Sequence, residues 1–552
     1  YGTFDFIVVG AGSTGSIVAS RLSEVESYEI LLLEAGDFDD DLTDIPYVAH
    51  LLQLSDRNWG YLTTPQKNSC FGRKNRQCPY ARGKVLGGSG TITGLAYTRG
   101  NKGDYDKWKS MGNFGWSFDD LLSYFKKMEN FESDSIDRTY RGFGGPLNVA
   151  YKIPKQDISE LISSASDLGF RYVKDYNAKD QIGISRVQRS TKCGKRVSGS
   201  TAYVRPSMNR HNFNLTLKAF VTKIVIDKPN KSAKGVEFIK DGKKYVAFSR
   251  KEVIVSGGAV NSPQLLMLSG IGPVDELRKH NIPIIQVLPV GQYMKDHPSF
   301  KIYYRSNQTL PKESLRNLLK EYVQGEGMLT NTENTLTYIY MNLENKSSSV
   351  PDLEFVLSAN TPVPKSIPEA SNLKKDIEDY FKNINGQTDY SFQVFVLHPE
   401  SVGTVTLQSN DPRDFPLIDI AIFENPKDLE LIYKATKIFD LLEQATFAKK
   451  IDLKRLDFGF CNEFERNSKA YWYCAIQKLA YCEYHMTSTV RMGPRNDPFA
   501  VVDNKLKVYG IDNLRVADCS IMPSIVSGHP NSGCFVIGEK VADVVKADHQ
   551  TS

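Results

Sequence analysis

Residues 6–15 read Phe-Ile-Val-Val-Gly-Ala-Gly-Ser-Thr-Gly, and this stretch decides the fold of the chain. The apolar run Phe6–Val9 is typical of a buried parallel strand, and the three glycines that follow have the G-x-G-x-x-G spacing. Residues 16–22 then show helical periodicity, and a second apolar run, Ile30–Leu33, ends at Glu34. This order of elements predicts a β-α-β unit that binds a dinucleotide.

Each polar or glycine position of this unit has a physical role in the prediction. Gly10 allows a tight turn, Gly12 lets the backbone approach a pyrophosphate, and Gly15 lets helix and strand pack closely. Glu34 lies where an acid can bind the ribose hydroxyls. The alternative is a glycine-rich turn of any α/β protein, and the motif alone does not distinguish NAD from FAD. The predicted contacts are Gly10, Gly12, Ser13, Thr14, Gly15 and Glu34.

The length and charge of the chain limit its class. At 552 residues it exceeds one ordinary core, so two domains are expected. The formal charge of +5 is small for this length, and Lys and Arg are scattered among acids, so no nucleic-acid partner is predicted. No apolar run reaches about 18 residues, so no membrane span is predicted either.

The cysteines and glycosylation sequons suggest secretion. The chain has eight cysteines, and Cys70/Cys78 and Cys461/Cys474 are close enough in sequence to form two disulfides. The alternative is a set of buried free thiols. No Cys-x-x-Cys or His-x-x-x-His occurs, so no metal site is predicted. We expect a secreted glycoprotein whose signal peptide has been removed. The four sequons begin at Asn214, Asn230, Asn307 and Asn345.

A second glycine-rich stretch covers residues 81–100. Its glycines are too dense for a helix or a packed strand, and such a loop lets a flat or anionic ligand lie against backbone amides. A flexible surface loop is the alternative, but Val85, Leu86, Ile92 and Leu95 indicate that the loop is packed.

Several further elements follow from the pattern. Trp108 to Phe131 is predicted to be helical, with Ser117 as a cap. Leu215 to Ile226 is predicted to be one strand. Residues 251–259 repeat the strand-to-glycine pattern of the N-terminus and lead into a short helix with Pro263 in its first turn.

The pattern changes from about Pro298 onward. Strand-like segments such as Leu336–Met341, Asp352–Ser358 and Tyr390–Leu397 alternate with polar loops. This alternation predicts an antiparallel sheet with helices on one side, and therefore a second, α+β domain.

Taken together, the motifs resemble the glucose–methanol–choline (GMC) oxidoreductase family of FAD flavoproteins, most closely its insect branch. The resemblance rests on the N-terminal unit, on residues 83–89, on residues 258–272, on the stretch around His485 and on residues 516–523. It implies FAD rather than NAD and an α/β fold with a discontinuous Rossmann-like FAD-binding domain plus an α+β substrate domain. The FAD domain is expected at 1–155, 191–298 and 491–552, and the substrate domain at 156–190 and 299–490.

The family's functional positions fall on specific residues of this chain. The two catalytic positions correspond to His485 and His529, where the family often has Asn at the second. Beyond the N-terminal unit, the resemblance places cofactor contacts at Arg82, Gly87, Gly88, Ser89, Thr93, Val221, Gly258, Asp518 and Asn531.

The chain also departs from the family pattern close to the cofactor. Gly90 and Thr93 replace the usual residues of the glycine-rich loop, and the usual Asp-Ala-Ser becomes Asp518-Cys519-Ser520. After His485 the usual Pro and Gly are both lost. These changes put ordinary redox turnover in question.

The sequence is compatible with two enzymatic hypotheses. In the first, His485 takes the hydroxyl proton of a small, apolar or aromatic alcohol, hydride passes to FAD, and His529 stabilises the alkoxide. In the second, a hydroxynitrile lyase, the same base cleaves a cyanohydrin to an aldehyde and cyanide, with FAD structural. A catalytically silent FAD-binding protein is a third.

Overall fold

A computed structural model describes residues 1–133, 137–151, 158–309, 313–332, 334–359 and 372–550. The fold contains two seven-stranded sheets, one mixed and one antiparallel, with helices packed around them. The predicted α/β class with an antiparallel sheet in the second half is therefore confirmed. The expected boundary between 155 and 156 lies outside the described residues.

The first sheet is built around the N-terminal strand Gly2–Val9. Its neighbours are Ile30–Leu33 and Lys243–Val255, both parallel to it. The end of Lys243–Val255 also pairs in parallel with Leu514–Val516. In spatial order the strands are Phe213–Thr216, Ile30–Leu33, Gly2–Val9, Lys243–Val255, Ser232–Lys240 and Phe220–Asp227.

The second sheet is antiparallel throughout. In spatial order its strands are Lys454–Arg455, Pro298–Arg305, Asp389–Val396, Leu353–Ala359, Thr335–Met341 and Gly183–Arg186, and Tyr481–Cys482 pairs with Pro298–Arg305. Because Gly183–Arg186 joins this sheet, a segment early in the chain is built into the same layer as strands from residues 298–482.

Helices and short strands complete the structure. The helices are Ser13–Leu22, Asp41–Asp44, Ala49–Leu52, Lys102–Ser110, Phe118–Met128, Ser159–Asp167, Arg205–Ser207, Gly258–Leu268, Val274–Lys279, Leu315–Val323, Lys375–Lys382, Pro426–Leu442, Thr446–Lys450, Lys469–Leu479 and Asn531–Gln550. Smaller sheets join Tyr61–Leu62 to Pro79–Tyr80, Thr191–Lys192 to Lys195–Arg196, Ile271–Gly272 to Gln286–Val287, Thr404–Thr406 to Leu417–Asp419, and Leu147–Tyr151 to Glu129–Phe131 and Gln188–Arg189.

The glycines of the first turn differ in what surrounds them. Gly10 has a φ of +97°, and a Cβ on Gly15 would lie 2.0 Å from the carbonyl oxygen of Gly10. Around a Cβ on Gly12 there is nothing within 4 Å. Gly10 and Gly15 therefore serve the turn and the packing of helix Ser13–Leu22, whereas Gly12 opens onto free space.

The prediction of one helix over Trp108–Phe131 was wrong. The chain forms two helices, Lys102–Ser110 and Phe118–Met128, because Gly112 and Gly115 between them both have positive φ. Ser117 does cap the second helix, where its hydroxyl accepts the N–H of Asp120.

The prediction of one strand over Leu215–Ile226 was also wrong. Phe213–Thr216 and Phe220–Asp227 are separate strands at opposite ends of the strand order. Lys218 between them has a φ of +54°, and its N–H bonds the carbonyl of Gly36 instead of a strand neighbour. The chain therefore leaves the parallel part of the sheet at this point.

Pro263 lies in the second turn of helix Gly258–Leu268, and not in the first turn as predicted. Proline has no N–H, so the carbonyl of Ala259 four residues earlier has no helical partner. The hydroxyl of Thr489 donates to that carbonyl at 2.8 Å. A segment close to His485 thus compensates for the proline.

Both predicted disulfides are present, Cys70–Cys78 and Cys461–Cys474. Cys193, Cys482, Cys519 and Cys534 carry free thiols. Across the part of the chain that is described, no helix has the length and apolarity needed to span a bilayer.

Substitution by alanine should destabilise the protein at Gly15, where a Cβ would meet the backbone, and not at Gly12, where a Cβ would have no neighbour. We expect Gly15→Ala to lower the free energy of unfolding of the nucleotide-free protein by on the order of 1–3 kcal/mol, because the new methyl overpacks the turn. Gly12→Ala should leave that free energy within about 0.5 kcal/mol of the parent. Urea unfolding of both variants measures the difference, and equal losses would contradict the assignment.

Candidate active site

A deep cleft lies at the carboxyl ends of the parallel strands of the first sheet. About 1080 Å³ of it is free of protein atoms, part of this open to solvent. Parallel sheets bind ligands at this edge. Twelve residues predicted to contact the cofactor line it: Gly10, Gly12, Ser13, Thr14, Glu34, Arg82, Gly88, Ser89, Val221, Gly258, Asp518 and Asn531.

Three other predicted cofactor residues are placed behind the lining. Gly15 packs under the first turn, and Gly87 has a φ of +87°, where a Cβ would meet the hydroxyl of Thr91 at 2.3 Å. The hydroxyl of Thr93 bonds the carbonyl of Gly90 at 3.4 Å, and Arg196 donates to the carbonyl of Thr93 at 2.7 Å. These three residues are therefore not part of the lining, and their contacts are with other groups of the protein.

The glycine-rich loop over residues 81–100 is packed against the first turn, as predicted. A Cβ on Gly88 would lie 2.6 Å from the Cα of Gly12, and a Cβ on Gly83 would meet the backbone of Gly88. Apolar side chains of the loop, among them Leu86, are buried. Two glycine turns therefore meet at the cleft and expose bare backbone.

Three helices begin at the cleft: Ser13–Leu22, Gly258–Leu268 and Asn531–Gln550. Helix N-termini present free N–H groups and positive potential, which suit a pyrophosphate. Asp518 accepts the N–H of Gly258 at 2.9 Å and the hydroxyl of Ser262 at 2.6 Å. The hydroxyl of Ser13 donates to Asn531 at 2.7 Å, which joins the first and last helices at the cleft.

Glu34 is buried at the end of its strand. Its two carboxylate oxygens accept the N–H groups of Ala11 and Gly36, both at 2.8 Å. Burial raises the pKa of Glu34, and the hydrogen bonds partly offset this. Each oxygen keeps a lone pair for a ribose hydroxyl, so the cleft fits the ADP half of FAD.

Sequence reasoning missed part of the lining. Trp59, Asn261, Leu265, Cys519 and Cys534 also line the cleft. None of them stands in a motif that specifies a dinucleotide contact. Asn261 and Leu265 do fall in the helix that carries the family resemblance, and Cys519 follows Asp518.

The two predicted catalytic histidines contact each other. Nδ1 of His529 lies 3.1 Å from Nε2 of His485, and the ring centroids are 4.8 Å apart. A third histidine extends this row of hydrogen-bonded rings, because Nδ1 of His297 lies 3.0 Å from Nδ1 of His485. Nε2 of His297 lies 3.0 Å from the carbonyl oxygen of Leu397. Sequence reasoning missed His297.

The carbonyl of Leu397 determines which nitrogen carries each proton. A carbonyl only accepts, so Nε2 of His297 carries the proton and its Nδ1 has a lone pair. Nδ1 of His485 must therefore donate to His297, which leaves the lone pair of neutral His485 on Nε2. This lone pair is directed at Nδ1 of His529, and both residues are partly exposed.

The local environment keeps the first two histidines neutral. Burial lowers the pKa of both His297 and His485 well below the ordinary value, and the charges of neighbouring histidines lower it further. A neutral imidazole with a free Nε2 is a general base.

The pKa of His529 is shifted in the opposite direction. Its Nε2 lies 3.3 Å from the carboxyl oxygen of Glu354, which is buried. Burial alone lowers the pKa of His529, but the charge of Glu354 and the hydrogen bond to it outweigh burial and raise the pKa. The site therefore pairs a neutral imidazole with one that favours the cation.

Backbone contacts hold the two ring-bearing segments together. One carboxylate oxygen of Asp296 accepts the N–H of His297 at 2.7 Å and that of His485 at 2.9 Å. The N–H of His529 donates to the hydroxyl of Thr98 at 2.6 Å. Burial raises the pKa of Asp296 to about 7. Asp296 is thus a positioning residue for the base.

Aromatic rings form one wall beside the histidines. Tyr338 and Phe395 each have ring centroids 5.7 Å from that of His529, and Tyr340 donates its hydroxyl to Glu354 at 3.2 Å. All three come from the antiparallel sheet. The three rings are buried, and the polar groups among them are the two tyrosine hydroxyls and the carboxyl group of Glu354.

The chain matches the family description GMC oxidoreductase with its N-terminal domain over residues 4–299 and its C-terminal domain over residues 399–538. The chain belongs to the GMC oxidoreductase family. GMC oxidoreductases are FAD-dependent, and the cofactor of this chain is FAD. The predicted family and cofactor are confirmed.

Relatives within the GMC family align along nearly the whole chain. Glucose dehydrogenase [FAD, quinone] of Drosophila pseudoobscura pseudoobscura is 34% identical over 98% of this chain and 87% of its own length. Mitochondrial choline dehydrogenase of Mus musculus is 32% identical over 98% and 89%. A solved FAD-dependent oxidoreductase from Chaetomium thermophilum superposes with a TM-score of 0.83, at 27% identity and coverage of 99% and 100%.

Replacement of Glu34 should weaken FAD binding. Glu34→Ala leaves two buried N–H groups without an acceptor, and we expect the Kd for FAD to rise about ten- to a hundredfold. Glu34→Gln keeps one acceptor oxygen and should lose less. Flavin fluorescence titration of the FAD-free proteins measures both constants. If Glu34→Ala binds FAD like the parent, Glu34 is not part of the cofactor site.

Proposed function

We propose that this GMC oxidoreductase oxidises a small apolar or aromatic alcohol to a carbonyl compound. The observation that supports the proposal is the row of three hydrogen-bonded histidines, His297, His485 and His529. This histidine row extends from the carbonyl of Leu397 to the carboxyl group of Glu354. It places a neutral base, His485, beside a hydrogen-bond donor that favours the cation, His529. Oxidation of an alcohol requires both functions, one for the hydroxyl proton and one for the oxygen on which charge develops.

Each of the three histidines has a separate role in the proposed reaction. To reach Nε2 of His485, which lies 3.1 Å from Nδ1 of His529, the substrate hydroxyl replaces the direct hydrogen bond between the two rings, and Nε2 then accepts its proton. His529 donates its Nδ1 proton in a hydrogen bond to the same oxygen and stabilises the developing negative charge. His297 accepts the Nδ1 proton of His485 in a hydrogen bond and holds the ring in its orientation. FAD supplies the hydride acceptor.

The wall of Tyr338, Tyr340 and Phe395 supports an apolar or aromatic substrate. Aromatic rings bind apolar groups by burial and by edge or face contacts. The carboxyl group of Glu354 also lies in this wall, but His529 and Tyr340 both bond it. A cationic substrate would compete with these two partners.

We also propose the domain organisation that the family implies. Residues 1–155, 191–298 and 491–552 form the FAD-binding domain, and 156–190 with 299–490 form the substrate domain. Because Gly183–Arg186 belongs to the antiparallel sheet, assignment of residues 156–190 to the substrate domain is supported.

Secretion of the protein is proposed as well, and the two disulfides support it.

A hydroxynitrile lyase is the second candidate, and the charge of the site favours it. Cleavage of a cyanohydrin needs the same neutral base, and a cationic His529 would stabilise the leaving cyanide. The two reactions differ in the redox state of the flavin, because only the oxidation passes electrons to it.

Anaerobic mixing of the yellow holoprotein with a primary aromatic alcohol tests the proposal. Oxidation predicts bleaching of the flavin band and one equivalent of aldehyde per flavin. A cyanohydrin converted to aldehyde and cyanide without bleaching would establish the lyase instead. Absence of both reactions across a panel of alcohols and cyanohydrins would contradict both candidates.

Loss of the base should be severe in either reaction. We expect His485→Ala to lower kcat/KM by about 10²- to 10⁴-fold with FAD still bound, since most of the cleft is unchanged. His529→Ala should also lower the rate, and His529→Asn should lower it less because an amide can still donate a hydrogen bond. Steady-state kinetics with FAD content as control measures this, and near-parent turnover by His485→Ala would refute the mechanism.

The pH profile should report the neutral state of His485. Its lowered pKa places the acid limb of kcat/KM below the ordinary imidazole value near 6.5, so activity is level at pH 7 and falls only as pH drops through that pKa. Glu354→Gln removes the partner of His529 and lowers its pKa. We expect kcat/KM at pH 7 to fall on the order of tenfold to a hundredfold.

Glu354→Gln should also move the acid limb. With His529 uncharged, His485 loses a neighbouring positive charge, its pKa rises, and the limb shifts to higher pH. Tyr340→Phe is the matched control, because it removes a second hydrogen bond to Glu354 and keeps the carboxyl group. An unshifted limb in Glu354→Gln would show that His529 is not held as a cation.

A further inference from the structure

Two of the four free cysteines meet in the wall of the FAD cleft. Cys519 begins the short turn Cys519–Ile521, directly after Asp518, and Cys534 lies in the first turn of helix Asn531–Gln550. Both line the cleft. Cys519 is buried and Cys534 is partly exposed. The thiols therefore come from two separate pieces of the C-terminal region that face the cofactor.

The turn Cys519–Ile521 packs against helix Asn531–Gln550, and the two thiols that these elements carry are not equivalent. The bond from Cys534 lowers the pKa of Cys519, while the same contact together with burial raises the pKa of Cys534. The sulfur of Cys519 also receives the N–H of Ala259, in the first turn of helix Gly258–Leu268, and Arg82 adds positive charge nearby. Cys519 therefore has the surroundings of a thiolate, with a protonated thiol as its partner.

The other two free cysteines have different surroundings. Cys193 is exposed in the turn between Thr191–Lys192 and Lys195–Arg196. Cys482 is buried against Asp296, and burial raises the pKa of its thiol. One is accessible and the other inaccessible, so the two serve as internal references for reactivity.

We propose that Cys519 and Cys534 form a dithiol that reacts with hydroperoxides and closes to a disulfide in the wall of the FAD cleft. The Cys519 thiolate attacks the peroxide, the O–O bond breaks, and Cys519 becomes a sulfenic acid while water leaves. The sulfur of Cys534 then attacks Cys519, the S–O bond breaks, and a second water leaves. In sum, two thiols and one hydrogen peroxide give one disulfide and two waters.

Closure would link two residues that border the predicted cofactor contacts. Cys519 follows Asp518, which caps helix Gly258–Leu268, and Cys534 lies one turn after Asn531, which bonds Ser13. The dithiol site is therefore distinct from the row of His297, His485 and His529, and its reaction with a hydroperoxide needs no alcohol substrate.

Titration of the holoprotein with hydrogen peroxide tests the proposal. After each addition the free thiols are blocked with an alkylating reagent and peptides are mapped without reductant. We expect Cys519 and Cys534 to disappear together at near one equivalent, a linked peptide to form, and dithiothreitol to restore both. Cys193 and Cys482 should remain alkylatable to their starting extent.

Variants assign the roles of the two sulfurs. Cys519→Ser should abolish the linked peptide and slow oxidation of Cys534 at least tenfold. Cys534→Ser should stop at a sulfenic acid on Cys519 that dimedone traps. Cys193→Ser is the matched control and should behave as the parent. If a serine variant fails to bind FAD, the parent protein still tests the proposal, through formation of the Cys519–Cys534 linked peptide with peroxide and its reduction by dithiothreitol.

Two outcomes would overturn the proposal. Cys519 and Cys534 could both stay alkylatable at peroxide doses that oxidise exposed Cys193. Alternatively, the disulfide could form without peroxide under anaerobic conditions while the flavin bleaches, in which case the flavin and not a hydroperoxide is the oxidant.

Discussion

The hydrogen bond between Nε2 of His297 and the carbonyl of Leu397 determines the chemistry of the site. Because the carbonyl has no proton to give, one contact fixes the tautomer of His297 and, through it, that of His485. At the other end Glu354 favours the protonated form of His529. A row of three imidazoles therefore has a direction, with the lone pair of His485 on Nε2, the nitrogen that a substrate hydroxyl reaches by replacing the hydrogen bond from His529.

The antiparallel sheet supplies most of this arrangement. His297 directly precedes strand Pro298–Arg305, Leu397 directly follows strand Asp389–Val396, and Glu354 lies in the strand between Asp389–Val396 and Thr335–Met341. In the register, Glu354 pairs with Phe395 on one side and Tyr340 on the other. A shift of one residue would turn Glu354 to the opposite face of the sheet, so the register of three strands sets the charge of His529.

The sequence predicted the parts of the fold that depend on local pattern. Strand, glycine turn and helix at Gly10–Leu22 follow from periodicity and from the lack of space for a side chain at Gly15. The histidines His485 and His529 came from the family resemblance. His297 and Glu354 were missed because their partners lie 188 and 175 residues away and meet them only through strand pairing. The break at Lys218 was missed because its positive φ is set by Gly36 across the sheet.

Nitrogen-15 NMR of the histidine rings measures directly which nitrogens of His485 and His529 carry protons. Long-range ¹H–¹⁵N correlations of ¹⁵N-histidine-labelled holoprotein near pH 6, below the ordinary imidazole pKa of about 6.5, assigned with His297→Gln and His485→Gln, report which ring nitrogens carry protons. We expect a neutral His485 with the proton on Nδ1 and a His529 protonated at both nitrogens. A His485 protonated at Nε2, or a neutral His529, would contradict it.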